Sequence, residues 1–263
     1  MDLGLKGRVA LVTASSKGIG LGTAKVLARE GMKVVISSRN GERLEKARDG
    51  LAAETGAEVH AVPADMTVKK DMERLAGESA KRFGAVDVLV YNAGPPKAGT
   101  FDDLTDSDWD EATRLLLLSA VTLTKGLVPQ MKERKWGRLI YITSFTLKQP
   151  VANLVLSNTV RLAIAGLSKS LSKELGPYGI TSNCVVQGFI RTDRAFQLVE
   201  KRASDAGTSV DEAYREMAKS IPLGRYGEPE EVGSLVAFIA SERGAYLNGG
   251  AFAIDGGYLS SVF

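Results

Sequence analysis

Two glycines, Gly18 and Gly20, close the loop Thr13-Ala14-Ser15-Ser16-Lys17-Gly18-Ile19-Gly20, between an apolar run at 9–12 and a helical pattern. A turn of this kind suits an anion. Glycine lets the backbone bend tightly and approach a pyrophosphate, and the free N–H groups at a helix start face the negative charge. A second cue sits where the next strand ends. An acidic residue there would hold a ribose 2′-hydroxyl, but this chain has Ser37-Ser38-Arg39. An arginine fork suits a 2′-phosphate, and Lys17 adds a second cation from the first loop. The charges predict a dinucleotide site that takes NADP, with NAD as second choice.

Such a loop needs a strand before it and a helix after it, and the rest of the chain keeps that alternation. Short apolar runs at 9–12, 34–36, 59–62, 86–90, 139–142, 184–186 and 251–254 read as strands buried on both faces. Helical stretches lie near 19–30, 41–55, 68–83, 107–134, 152–176 and 229–241. Parallel strands need crossovers, so this order predicts an α/β fold: a doubly wound, mostly parallel seven-stranded sheet with helices on both faces. No linker or repeat interrupts it, and residues 1–263 read as one domain.

Composition excludes several alternatives. The 263 residues are 44% hydrophobic, ample for a large core, and carry a net charge of only +3. No Lys/Arg run points to nucleic acid. The one cysteine, Cys184, and the one histidine, His60, lie in strand patterns and read as structural; a metal site is not expected. The N-terminus is charged and enters a strand almost at once, without a signal-peptide pattern. No apolar run approaches membrane-spanning length. A cytoplasmic soluble protein is expected.

The Gly-rich loop, Asn92-Ala93-Gly94 after the fourth strand, and Asp255-Gly256-Gly257 near the C-terminus together resemble the short-chain dehydrogenase/reductase family, including its 3-oxoacyl-[acyl-carrier-protein] reductases. The resemblance covers nearly the whole chain. It implies a Rossmann-type fold, a nicotinamide cofactor and a homotetramer. It places Thr13, Ser15, Ser16, Lys17, Gly18, Ile19 and Gly20 at the cofactor, with Ser38 and Arg39 at the second strand end. Asp65 and Met66 fall at the adenine, and Asn92, Ala93 and Gly94 over the ribose. Gly188, Ile190 and Thr192 fall near the nicotinamide amide, although Gln187 replaces the family's proline there. Ala14 replaces its first glycine, adding one methyl.

The resemblance also locates the catalytic positions, where the chain departs from the family. The segment Gly166-Leu167-Ser168-Lys169-Ser170-Leu171 resembles the one that follows the family's Tyr-x-x-x-Lys, which puts Ser157 at the tyrosine and Arg161 at the lysine. Ser144 falls at the family's serine. Trp109 and Pro129 put Leu116 at its asparagine. Hydride chemistry needs a proton. A phenol with a pKa of ~10 can be pushed toward neutrality by a nearby cation, whereas a serine hydroxyl is far less acidic and a guanidinium does not deprotonate. Losing a positioned acid typically costs ~10²–10⁴ in rate. Arg161 remains able to hold the ribose, polarise a carbonyl or bind a carboxylate. Tyr91 and Tyr141 lie near the strand ends, but neither has helical spacing to Arg161.

Three readings follow: an NADP-dependent oxidoreductase of a carbonyl or alcohol with altered proton delivery; a non-catalytic NADP-binding protein for assembly or sensing; and a lyase or isomerase using Arg161 for an acidic substrate. Residues 191–224, polar and helix-prone after the sixth strand, are expected to form a substrate lid. Helices near 107–128 and 154–171, with four consecutive leucines at 115–118, are apolar on more than one stripe and predict a homo-oligomer.

Overall fold

The computed structural model describes residues 1–261. Seven strands, β1 (Val9–Val12), β2 (Lys33–Ile36), β3 (Val59–Ala61), β4 (Val88–Tyr91), β5 (Gly137–Ser144), β6 (Ile180–Gln187) and β7 (Ala251–Ile254), form one sheet in the order β3-β2-β1-β4-β5-β6-β7. Every pairing is parallel. The crossovers are α1 (Gly18–Arg29), α2 (Gly41–Thr55), α3 (Lys69–Phe83), α4 (Asp106–Thr113), α5 (Ser119–Arg134), α6 (Val155–Leu175) and α9 (Pro229–Ala240). Helices α7 (Asp193–Ala206) and α8 (Val210–Ala218) make the excursion between β6 and α9.

The strand order reverses between β1 and β4, which lie side by side. At such a switch point the outgoing loops diverge and leave a crevice beyond the carboxyl ends. The Gly-rich loop leaves β1 there, and Asn92-Ala93-Gly94 leaves β4. The apolar strands bury residues on both faces. One face carries Val12, Val34, Ile36, Val90 and Ile142 against α1 and α9, and the other carries Leu11, Val35, Leu89, Leu139 and Tyr141 against α3 and α5.

Two expectations change. The outermost strands are not buried on both faces. Each residue of β3 is partly exposed, and β7 is open at Ala253, because an edge strand lacks a neighbour on one side. His60 on β3 packs edge-on to Phe83. The long helix near 107–134 is divided: a π-helical turn, Arg114–Leu118, separates α4 from α5. Of its four leucines Leu116 is buried, whereas Leu118 is half exposed.

Candidate active site

The Gly-rich turn is held by side chains and by close approach. Thr13 Oγ1 donates to the Asn92 carbonyl at 2.6 Å and accepts from the Asn92 N–H at 2.9 Å, tying β1 to β4. Ser15 Oγ donates to the Val12 carbonyl and accepts from the Ser37 N–H, tying the loop to β2. Both residues are fully buried, so their hydroxyls shape the loop and present nothing to a nucleotide. A Cβ on Gly20 would fall 2.4 Å from the Ala14 carbonyl oxygen, which only glycine avoids. Ala14 itself has φ +46°. The replaced glycine therefore changes more than volume, since this left-handed region is costly for an L side chain.

Beside this turn lies a cleft of about 510 Å³. Ser16, Lys17, Ser38, Arg39, Asp65, Met66, Asn92, Ala93 and Gly94 line it, as expected. Two further cations line it that no motif singled out: Arg43, in the first turn of α2, and Arg194, from α7. Lys17 pairs with Asp193 at 3.3 Å. The carboxylates on the walls are Asp65 and Glu111. Asp65 is oriented, accepting from the Thr67 N–H and hydroxyl at 2.8 and 2.7 Å. Cationic side chains outnumber carboxylates, so the cleft suits a polyanion. Gly18, Ile19, Gly20, Gly188, Ile190 and Thr192 do not line its walls.

The three expected catalytic residues come together, through a fourth. Ser157 and Arg161 sit one turn apart on α6, and Arg161 Nε donates to Ser157 Oγ at 3.2 Å. Ser157 Oγ lies 3.1 Å from Thr146 Oγ1, and the Thr146 N–H donates to Ser144 Oγ at 3.3 Å. Thr146 belongs to the short 3₁₀ turn after β5, Phe145–Leu147. It sits two residues from Ser144 and shares no helical spacing with α6, so no pattern in the sequence singled it out. All four side chains are buried and lie outside the lining of the 510 Å³ cleft. Burial pushes the Arg161 pKa down, yet a guanidinium keeps its proton.

Neither Tyr91 nor Tyr141 is placed to act as an acid. Tyr91 Oη meets the carbonyls of Leu115 and Leu116 at 2.7 and 2.9 Å and Ser119 Oγ at 2.7 Å. Tyr141 Oη bonds Thr124 Oγ1 at 2.8 Å. Burial pushes both phenols well above their ordinary value, away from the range useful to an acid catalyst. Leu116, which the resemblance aligns with the family's asparagine, packs with Leu156 and Val160. An apolar wall adjoins the cluster: Phe145, Phe189 and Tyr258 stack with ring centroids 4.9–5.2 Å apart, joining the ends of β5 and β6 to the C-terminal turn.

A family model described as Enoyl-(Acyl carrier protein) reductase matches residues 13–259. The chain is 32% identical to 3-oxoacyl-[acyl-carrier-protein] reductase of Aquifex aeolicus, covering 98% of this chain and 99% of the relative. The chain belongs to the short-chain dehydrogenase/reductase family. It is 34% identical to dehydrogenase/reductase SDR family member 4 of Sus scrofa, covering 98% and 89% of the two chains. In three dimensions it matches the L-sorbose reductase of Gluconobacter frateurii, solved with NADPH and L-sorbose, at a TM-score of 0.97 and 32% identity over the whole of both chains.

Within this short-chain dehydrogenase/reductase the last loops also meet at the site. A Cβ on Gly188 would lie 2.7 Å from the Asp255 Cα, so the segment after β6 and the Asp255-Gly256-Gly257 turn pass in close contact. Asp255 caps that turn through the N–H groups of Gly257 and Leu259. Thr192 caps α7 by accepting from the Ala195 N–H, and its methyl lies 3.3 Å from where a Gly18 Cβ would be. The start of α7 thus rests on the Gly-rich loop. Ile190 is buried and bridges to Gly227. No helix among the described residues is long and apolar enough to cross a membrane.

Proposed function

We propose that this chain is an NADPH-dependent reductase of a carbonyl compound, working in reverse on the alcohol, in which proton delivery differs from that of its relatives. The observation that carries the cofactor is the pair Arg39 and Arg43 on the cleft wall beyond β2, where no carboxylate stands to take a ribose 2′-hydroxyl. The NADPH in the L-sorbose reductase supports the same reading. The Gly18–Gly20 turn and the start of α1 would hold the pyrophosphate, Asp65 and Met66 the adenine end, and Asn92-Ala93-Gly94 the ribose. When bound, the cofactor supplies a hydride. Ser144 orients the substrate oxygen, and Arg161 gives the surroundings a fixed positive charge that needs no titration. Residues 191–224 act as the lid over the site, and the protein works as a cytoplasmic homo-oligomer, a tetramer by family resemblance.

A second reading, a nucleotide-binding protein without turnover, draws on the sealed phenols of Tyr91 and Tyr141 and on α6 carrying no tyrosine. One experiment separates the two. NADPH and NADH are titrated by fluorescence, and NADPH oxidation is followed with L-sorbose, a 3-oxoacyl thioester and a short oxo acid. Tight NADPH binding with measurable oxidation is expected. NADPH binding without reduction of any of these favours the second reading.

A further inference from the structure

Two arginines in this protein are buried, and only one has its charge met. Arg138 on β5 faces Glu242 at 3.9 Å, stacks on Trp136 and donates to the Gly137 and Gly179 carbonyls. Arg161 is 8% exposed and makes one hydrogen bond to protein among the described residues, from Nε to Ser157. No carboxylate among the described residues lies within ion-pair distance, and the ionisable group that faces it is the sealed phenol of Tyr91. A guanidinium has five N–H donors and no way to shed its charge. Buried charge without a partner is strongly unfavourable, so such a group calls for an anion.

The neighbouring hydroxyls point to the same complement. Ser157 Oγ accepts from Arg161 Nε and shares a hydrogen bond with Thr146 Oγ1 in which either hydroxyl can donate. Ser144 Oγ accepts from the Thr146 N–H. The Ser144 hydroxyl hydrogen has no acceptor among the described residues, and of the two hydroxyl hydrogens on Ser157 and Thr146 one is left over whichever way their shared bond runs. The cluster offers one fixed cation and two oriented hydroxyl donors, and it holds no carboxylate. A neutral ribose diol would take hydrogen bonds from Arg161 but would not balance its charge.

We infer that the Ser144–Thr146–Ser157–Arg161 cluster binds a negatively charged oxygen group of the substrate, and that the carbonyl compound reduced is a short oxo acid whose carboxylate faces Arg161. This rests on the reductase reading above and adds the substrate class. Ser157 and Thr146 are positioning residues: Ser157 holds the guanidinium, and Thr146 holds Ser157 through its hydroxyl and Ser144 through its backbone N–H.

The test uses the full chain saturated with NADP⁺, so that no turnover occurs, and two near-isosteric probes, acetoacetate and neutral acetoacetamide. Calorimetric titration is expected to show acetoacetate binding at least ~10-fold tighter, the worth of one charge-assisted contact. Arg161→Met, which keeps length and removes charge, is expected to erase that preference while NADPH still binds, and Arg161→Lys to restore part of it. Equal binding of the two probes, or binding of neither, overturns the inference. So does Arg161→Met weakening NADPH ~10-fold with the probe preference intact, which would assign the guanidinium to the cofactor. If Arg161→Met does not fold, the comparison of the two probes on the unmutated protein decides. Failure of NADPH to bind the unmutated protein would instead strike the reductase reading itself.

Discussion

The hydroxyl of Tyr91 lies 2.9 Å from the carbonyl oxygen of Leu116. The contact joins the end of β4 to the π turn between α4 and α5, where the shift from i→i+4 to i→i+5 bonding leaves carbonyls in need of donors. Ser119 Oγ assists, bonding the Leu115 carbonyl at 2.7 Å. Tyr91 is thus a structural cap for a helix defect and no acid. Tyr91→Phe is expected to lower unfolding stability by ~1–3 kcal/mol, the cost of leaving buried carbonyls short of a donor, and to leave NADPH affinity within a factor of two or so. Urea unfolding with a parallel NADPH titration checks it. Loss of turnover with unchanged stability would reinstate Tyr91 as a chemical participant.

Cofactor choice rests on Arg39 and Arg43. Both are exposed on the cleft wall, so each loses part of its worth to water and salt. A charge-assisted phosphate contact contributes ~1.5–3 kcal/mol, one to two decades in affinity. Arg39→Ala is expected to bring NADPH affinity down by about that amount and leave NADH nearly unchanged. Adding Arg43→Ala should remove what preference remains. Equal affinities in the unmutated protein would make both arginines bystanders.

Ala14 offers a test of strain. Its left-handed backbone costs ~1–2 kcal/mol for an L residue, while introducing glycine loosens the unfolded chain by ~0.4–1 kcal/mol. Ala14→Gly is therefore expected to raise stability by up to ~1.6 kcal/mol, against the usual trend for glycine, with cofactor binding retained. A lower melting temperature would show that the loop draws its shape from the methyl. Gly20→Ala should do the opposite, because its Cβ would press on the Ala14 carbonyl.

Much of this was readable from the chain, and what was not has identifiable causes. Strand runs such as Leu139-Ile140-Tyr141-Ile142 are apolar on both faces, and the structure pairs them as parallel core strands. Val59-His60-Ala61-Val62 has a similar character, but edge position depends on the sheet order, which no local pattern encodes. The break at Arg114–Leu118 was invisible because its donor, Tyr91, comes from a strand more than twenty residues earlier. Ser157 and Arg161 share a helix face and were found from their register. Thr146 belongs to a turn and was not found. Thr13 and Ser15 were placed at the cofactor by the motif, but their burial depends on β4 and β2 packing around them.

Assembly follows from the apolar surface left over. Leu118 and Leu162, on the packed π turn and α6, are 50% and 56% exposed. Large side chains left in water on adjacent elements favour a partner surface. Light scattering is expected to give a homo-oligomer at micromolar concentration, and Leu118→Glu with Leu162→Glu to dissociate it. A monomer in the unmutated protein would remove the support for assembly through these helices.

The missing acid yields the most demanding prediction. Ser157→Tyr with Arg161→Lys rebuilds a phenol and its cation on one face of α6. The structure adds a condition: Ser157 is buried 3.1 Å from Thr146 Oγ1, and forcing a ring into packed space costs ~1–3 kcal/mol. The double variant should therefore be made with and without Thr146→Ala, which frees room. Reduction of a neutral ketone such as L-sorbose by NADPH is expected to be slow in the unmutated protein and to rise by ~10² or more when the phenol fits. The rise should appear with the Thr146 change or be larger with it. Robust native turnover abolished by Ser144→Ala would mean that proton delivery already runs through the hydroxyl cluster and needs no phenol. No turnover in a folded, NADPH-binding triple variant would move the weight to the binding-protein reading, because placement of hydride and carbonyl, and not the acid alone, would then be missing.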